Sequence, residues 1–267
     1  MTGLIIWLGT WRFAFAAVGI LTVIIGIVAW LFVRDRPSEH PWISREELDY
    51  LNQGNSEAQG ENDSKGSALQ YFKHLSPWML LLAFFGYDAV LFGLMTWAPT
   101  YVSKVQHVSF GMTGVWTFVI FGSGFVGELF SGQLADRLMR FGISTNVVMR
   151  SMLGFAGLGV AGAILCVSQV SSSTQAILLI SLANFFLRWG GLYWSVPARL
   201  ALKKHVGQLT GAMNFSGNVA GILTPILVGV IVQETLSFTG VFTMFAIAGG
   251  IMALGSIIIN YSRKLTA

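Results

Sequence analysis

Seven stretches of the chain are almost wholly apolar, and each is about as long as a bilayer core is thick. They run approximately Phe13–Val33, Trp78–Val102, Phe110–Leu134, Val147–Ser168, Gln175–Pro197, Leu209–Val232 and Phe238–Tyr261. About 20 helical residues cross a hydrocarbon core of roughly 30 Å. A span in lipid must satisfy its backbone hydrogen bonds internally, so every stretch is predicted to be helix. Short turns join most of them. The exception is Arg34 to Ser76, which is long, polar and rich in Glu, Asn, Ser and Gly. Within it, Ser44 and Glu47 have capping-box spacing, which predicts the start of a short surface helix. Gly54 to Gly66 has almost no apolar content and reads as flexible linker. One span precedes this connection and six follow it, a lopsided count for a finished protein.

Composition agrees with the pattern. Hydrophobic residues make up 54% of the chain and charged residues 10%, and the mean hydropathy is +0.67. Soluble domains carry roughly 25% charged residues, so most of this surface has lipid as its solvent. The fold class expected is all-α integral membrane. The single cysteine, Cys166, excludes an intramolecular disulfide and a multi-cysteine metal site. His40, His74, His107 and His205 are scattered through loops and span ends, and no catalytic serine or cysteine arrangement is visible. No metal, no cofactor and no enzymatic activity are therefore expected.

The net charge of +4 sits in the connections between spans, so topology explains it better than a nucleic-acid partner does. One side of the membrane would hold Arg34, Arg36, Arg45, Lys65, Lys73, Arg137, Arg140, Arg199, Lys203, Lys204, Arg263 and Lys264, with Arg150 near the boundary. The other side would hold only Arg12 and Lys104. The positive-inside rule then puts the long connection and the C-terminus in the cytoplasm of a multi-pass protein of the inner (plasma) membrane. Met1 to Thr10 has no basic segment and runs straight into a span, unlike a cleaved signal. Met1 reads as a start imposed within something longer.

Between the third and fourth spans lies Gly132-x-Leu134-Ala135-Asp136-Arg137-x-x-Arg140. Gly132 would let a neighbouring helix approach closely. Asp136 can face the positive N-terminus of another helix, and Arg137 and Arg140 can anchor the turn at an anionic lipid surface. This spacing resembles the cytoplasmic-loop signature that transporters of the major facilitator superfamily carry once in each half. The long connection resembles the loop that joins the halves.

Three further stretches resemble the anion:cation symporter branch, the carriers of hexuronates, galactonate and related organic acids. They are Trp11-Arg12-Phe13-Ala14-Phe15 leading to Arg34-Asp35-Arg36-Pro37-Ser38-Glu39-His40-Pro41-Trp42, then Thr96-Trp97-Ala98-Pro99-Thr100-Tyr101, and finally Gly211 through Asn214, Gly217, Asn218 and Gly221 to Pro225. The resemblance covers the whole chain.

The resemblance implies helix six plus the C-terminal six-helix bundle of a twelve-helix fold. Residues 1–33 would end the N-terminal bundle, 34–76 would be the cytoplasmic inter-bundle linker, and 77–267 would form the C-terminal bundle. The implied function is symport of a small organic anion, such as a sugar acid, with a proton or sodium. Substrate would bind between the bundles, so this chain alone should not transport without its missing N-terminal bundle. The alternative is a non-transporting half, or a truncated membrane protein, that needs a separately encoded partner. Seven spans also occur in retinal photoreceptors, but the last span has no lysine for a Schiff base.

Polar groups inside spans are costly in lipid and are functional candidates by default. Asp88, beside Tyr87 near the middle of the second span, can bind a proton or cation, or serve as counter-ion to a basic group on the other half. Equally, it can be a structural acid paired with a helix such as the one carrying Arg188. Glu128 lies nearer the cytoplasmic surface and suits a gating or packing salt bridge. Arg188 is a carboxylate ligand or the partner of Asp88 or Glu128.

Asn214 and Asn218 share a helix face, with Asn218 suited to packing beside Gly217-x-x-x-Gly221. In the resembling acid-sugar carriers, the asparagine matching Asn214 and the tryptophan matching Trp194 line the substrate site. Tyr193 and Ser195 are weaker neighbours, Tyr87 and Asp88 are candidates, and the substrate carboxylate would be held by a basic residue of the other half. The glycines of Gly122-Ser-Gly124-x-x-Gly127 and Gly154-x-x-Gly157-x-Gly159 suit close helix contact and sliding.

Overall fold

A computed structural model describes residues 11–34, 37–50, 68–105, 110–170, 172–262 and 264–265. The chain divides into two compact units, Met1–Ser64 and Lys65–Ala267. In the first, α1 (Trp11–Phe32) is 22 residues long and apolar on all sides, the profile of a membrane span. Ser44 caps a short helix, α2, over 45–50: its hydroxyl accepts from the Glu47 amide at 3.1 Å. The flexible linker read at Gly54–Gly66 lies outside the described residues, as do Met1–Thr10, Asp35, Arg36, Lys65 and Arg263.

The second unit holds six membrane-length helices, five of them continuous. They are α3 (Leu75–Thr100), α4 (Phe110–Arg140), α5 (Thr145–Val167), a broken span beginning with α6 (Ser173–Leu187), α8 (Val206–Thr235) and α9 (Thr239–Ile258). The broken span continues through a 3-10 segment (Arg188–Ser195) into α7 (Val196–Leu200). With α1 this makes seven candidate spans among the described residues, and the all-α membrane fold stands.

Close packing fixes the order of neighbours as α8–α3–α9–α5–α6–α4. The outer positions of α4 and α8 show in their burial: 28% and 22% of their spanning stretches are covered, against 50% to 56% for the others in this unit. Where lipid is as apolar as leucine, small residues let helix backbones meet. A β-carbon at Gly157 on α5 would collide with the backbone of Gly249 and Ala253 on α9. Gly127 on α4 lies likewise against the Phe185 backbone, whereas Gly122 faces open space.

Two expectations at the motif are corrected. α4 runs on to Arg140, so Asp136, Arg137 and Arg140 occupy its last turns and not a loop. The true turn is 141–144, where Gly142 adopts φ +85° and Ser144 caps α5 by accepting from the Val147 amide at 3.4 Å. Gly132 has no described atom within 4 Å of where a β-carbon would stand, so it permits no close helix approach within this unit. Asp136 is exposed, and its carbonyl accepts from Arg140 Nε at 3.4 Å.

The Ser76 end of the unit is tied by side chains. Arg150 donates to the Ile259 carbonyl at 2.7 Å, a cation placed where helix carbonyls run out of partners. The Leu202 amide donates to the buried Tyr71 hydroxyl at 3.2 Å, and His205 Nδ1 lies 3.1 Å from the same oxygen.

Candidate functional site

The broken span positions the site. Pro197 has no N–H to offer the carbonyl four residues back, and the Val196 amide bonds to the Tyr193 carbonyl instead. The chain accordingly tightens into 3-10 geometry over eight residues, longer than the three or four usual for that form. Its three-residue repeat stacks Arg188, Gly191 and Trp194 on one face. Trp189, Gly190 and Tyr193 are buried, whereas Trp194 is 52% exposed.

Beside this face stands the seam between α3 and α8. The Asp88 carboxyl and the Phe84 ring fill the space that a β-carbon at Gly217 would need. Phe84 is the hub. Its ring centroid lies 5.5 Å from Tyr87, 5.8 Å from Tyr193 and 5.6 Å from Trp194. Asn214 and Asn218 are exposed on α8, roughly 60° to 100° round from the Gly217 face at 3.6 residues per turn. Asn218 Nδ2 donates to the Asn214 carbonyl at 2.8 Å and to Asn214 Oδ1 at 3.0 Å.

At the Arg188 end of the 3-10 face, Arg188 Nε lies 3.7 Å from Glu128 Oε2 on α4. The pair is cradled by glycines: the Arg188 stem crosses Gly124, and the Glu128 carboxylate crosses Gly191. Arg188 therefore pairs with Glu128 and not with Asp88. Among the described residues no hydrogen bond or salt bridge reaches the Asp88 carboxyl, which is only 6% exposed.

Of the residues singled out in the sequence, Asn214 and Trp194 lie open on this side of the bundle, with Tyr87 and Asp88 buried just beneath. Tyr193 does not belong with them. It is fully buried, and its hydroxyl is taken by Ser256 Oγ at 2.5 Å. Ser195 is half-buried and internally bonded, donating to the Leu192 carbonyl at 2.9 Å. Asp136, Arg137 and Arg140 stand at the end of α4, about 12 to 18 Å along the helix from Glu128 at 1.5 Å per residue. Sequence reasoning missed Phe84, since an apolar residue in an apolar span carries no chemical signal. Its place one turn before Asp88 was the available clue.

Glu128 and Arg188 keep 49% and 34% of their side chains exposed within membrane-length helices. Charges so open are too costly to face hydrocarbon. This side of the bundle is built to face water or protein. The class of molecule is thus a multi-pass helical membrane protein with a polar, aromatic face at membrane depth.

The sequence model of the Major Facilitator Superfamily matches residues 1–225, and the chain belongs to that superfamily. It is a family of transporters, not of enzymes. The chain is 28% identical over 254 residues to a probable galactarate/D-glucarate transporter, GarP, of Escherichia coli (strain K12), covering 91% of this chain and 56% of that protein. It is 28% identical over 271 residues to a hexuronate transporter of Bacillus subtilis (strain 168), covering 96% and 59%. A D-galactonate transporter of Escherichia coli O6:H1 matches at 28% over 245 residues, covering 87% and 56%. The chain spans somewhat over half the length of these relatives.

Proposed function

We propose that this chain supplies the C-terminal bundle of a secondary transporter that carries a small organic anion, such as a sugar acid, together with a proton or sodium. Residues 77–267 are the bundle, 34–76 the linker and 1–33 the last helix of the N-terminal bundle, with the linker and C-terminus in the cytoplasm. Solute binds between the two bundles, and rocking of one against the other alternates access. The observation that carries this reading is the exposed face holding Glu128, Arg188, Trp194 and Asn214 at membrane depth. Trp194 offers its ring to the apolar side of a sugar acid, and Asn214 meets its hydroxyls, a mostly apolar site with few polar groups. The names of the three relatives support the substrate class. Asp88, buried and with no hydrogen-bonded partner among the described residues, is the candidate in this half for the co-transported cation.

The test is uptake of radiolabelled galactonate, galactarate and glucuronate by the native protein in cells stripped of their own sugar-acid carriers. At least one acid should accumulate above its outside concentration, and a protonophore or sodium removal should abolish that accumulation. Absence of uptake for all three would overturn the reading.

A further inference from the structure

We propose that Arg188 is a second carboxylate anchor, which fits the site to sugar diacids, with Glu128 as an internal carboxylate that holds the anchor until substrate displaces it. This rests on the transport reading above and names its substrate class.

Three features of the pair argue for exchange over structure. The Nε–Oε2 separation of 3.7 Å is beyond hydrogen-bond length, and both side chains stay partly open. Exposed pairs of this kind add little stability, so fold strength does not account for two charges kept within membrane-length helices. A guanidinium has five N–H donors in a planar fork that matches a carboxylate in bidentate fashion. Glu128 is the carboxylate paired with it here, at Nε, and the fork carries further N–H donors.

The location is equally specific. Arg188 shares the three-residue face of the 3-10 segment with Trp194, so a solute stacked on that indole has its far end directed along the face toward the guanidinium. Gly191, between them, has no side chain of its own, and it is the Glu128 carboxylate that lies over it, so a diacid reaching Arg188 takes the place that carboxylate vacates. Gly124 and Gly191 present no β-carbon where the Arg188 stem and the Glu128 carboxylate lie. A monoacid uses one carboxylate site; a diacid has a second carboxylate that competes with Glu128 for Arg188. Once displaced, Glu128 keeps its exposure on the open side of the bundle.

The experiment compares KM for galactarate and galactonate uptake by the native protein and by Arg188→Gln, Arg188→Lys and Glu128→Gln variants in the same cells. Arg188→Gln should raise the galactarate-to-galactonate KM ratio roughly tenfold or more, the scale of a lost charge-assisted bond. Arg188→Lys should recover only part of it, since an ammonium cannot fork onto a carboxylate. Glu128→Gln should lower the galactarate KM, because the internal competitor is gone. Equal changes for both acids, or none, would overturn the anchor while leaving transport intact. A wild-type protein that carries neither acid would remove the transport reading and this one with it.

Discussion

The α3–α8 seam has two unlike sides. On one, Trp78, Leu81, Leu82, Phe85, Phe215, Ser216 and Val219 line a shallow groove that is nearly all carbon, and the single hydroxyl there is turned inward, donating to the Leu81 carbonyl at 2.8 Å. On the other stand Trp194 and the Asn214–Asn218 pair, backed by Phe84, Tyr87 and Asp88. Both sides are exposed, so burial alone does not separate them. What differs is the treatment of polar atoms. The first side turns its polar side-chain atoms, Ser216 Oγ and Trp78 Nε1, onto backbone carbonyls, as lipid requires; the second leaves two amides exposed and places charges beyond them. In a membrane protein, the informative exposed surface is the polar one.

Changes on the two sides should therefore fail in different ways. Phe84→Ala removes the hub common to Tyr87, Tyr193 and Trp194, and should cost roughly 3 kcal/mol or more of stability through lost contacts. The check is a melting curve in detergent, expected to drop well below that of every other variant here. Next, Trp194→Ala and Asn214→Ala should each raise the KM for sugar-acid uptake about threefold to tenfold, the worth of one ring contact or one hydrogen bond, with melting nearly unmoved.

Tyr193→Phe sharpens the line between core and site. Loss of its bond to Ser256 should cost about 1 kcal/mol in the melt while leaving KM as it was. Smallest of all, Phe215→Ala on the apolar side should change uptake by less than about twofold, the usual range for a surface position. A KM effect of Phe215→Ala equal to that of Asn214→Ala would erase the distinction between the sides.

Much of the fold was legible because lipid imposes a length. The seven apolar stretches in the sequence all appear as helices, with ends shifted by a few residues. The errors fell where polar residues continue a helix beyond the hydrocarbon, as at Asp136 to Arg140, which hydropathy reads as a loop. The site was harder. Asn214, Trp194 and Asp88 stood out because polar or amphipathic groups are rare in such spans, but Tyr193 stood out equally and turned inward. Sequence gives the segment, and not which way a side chain faces once Pro197 has tightened the helix to three residues per turn. The Glu128–Arg188 pair joins residues 60 apart whose nearness depends on Gly124 and Gly191, and single positions cannot show that juxtaposition.

The central claim is that the Asn214–Asn218 side of the seam lines a watery solute path while the Phe215 side meets lipid. Cysteine labelling tests it most directly. In the native protein with Cys166→Ser, single Asn218→Cys and Phe215→Cys changes would be treated in membranes with a charged, membrane-impermeant thiol reagent. Asn218→Cys should react, and saturating sugar acid should slow the reaction, while Phe215→Cys stays unmodified. Equal labelling at both positions, or labelling at 215 alone, would contradict the account.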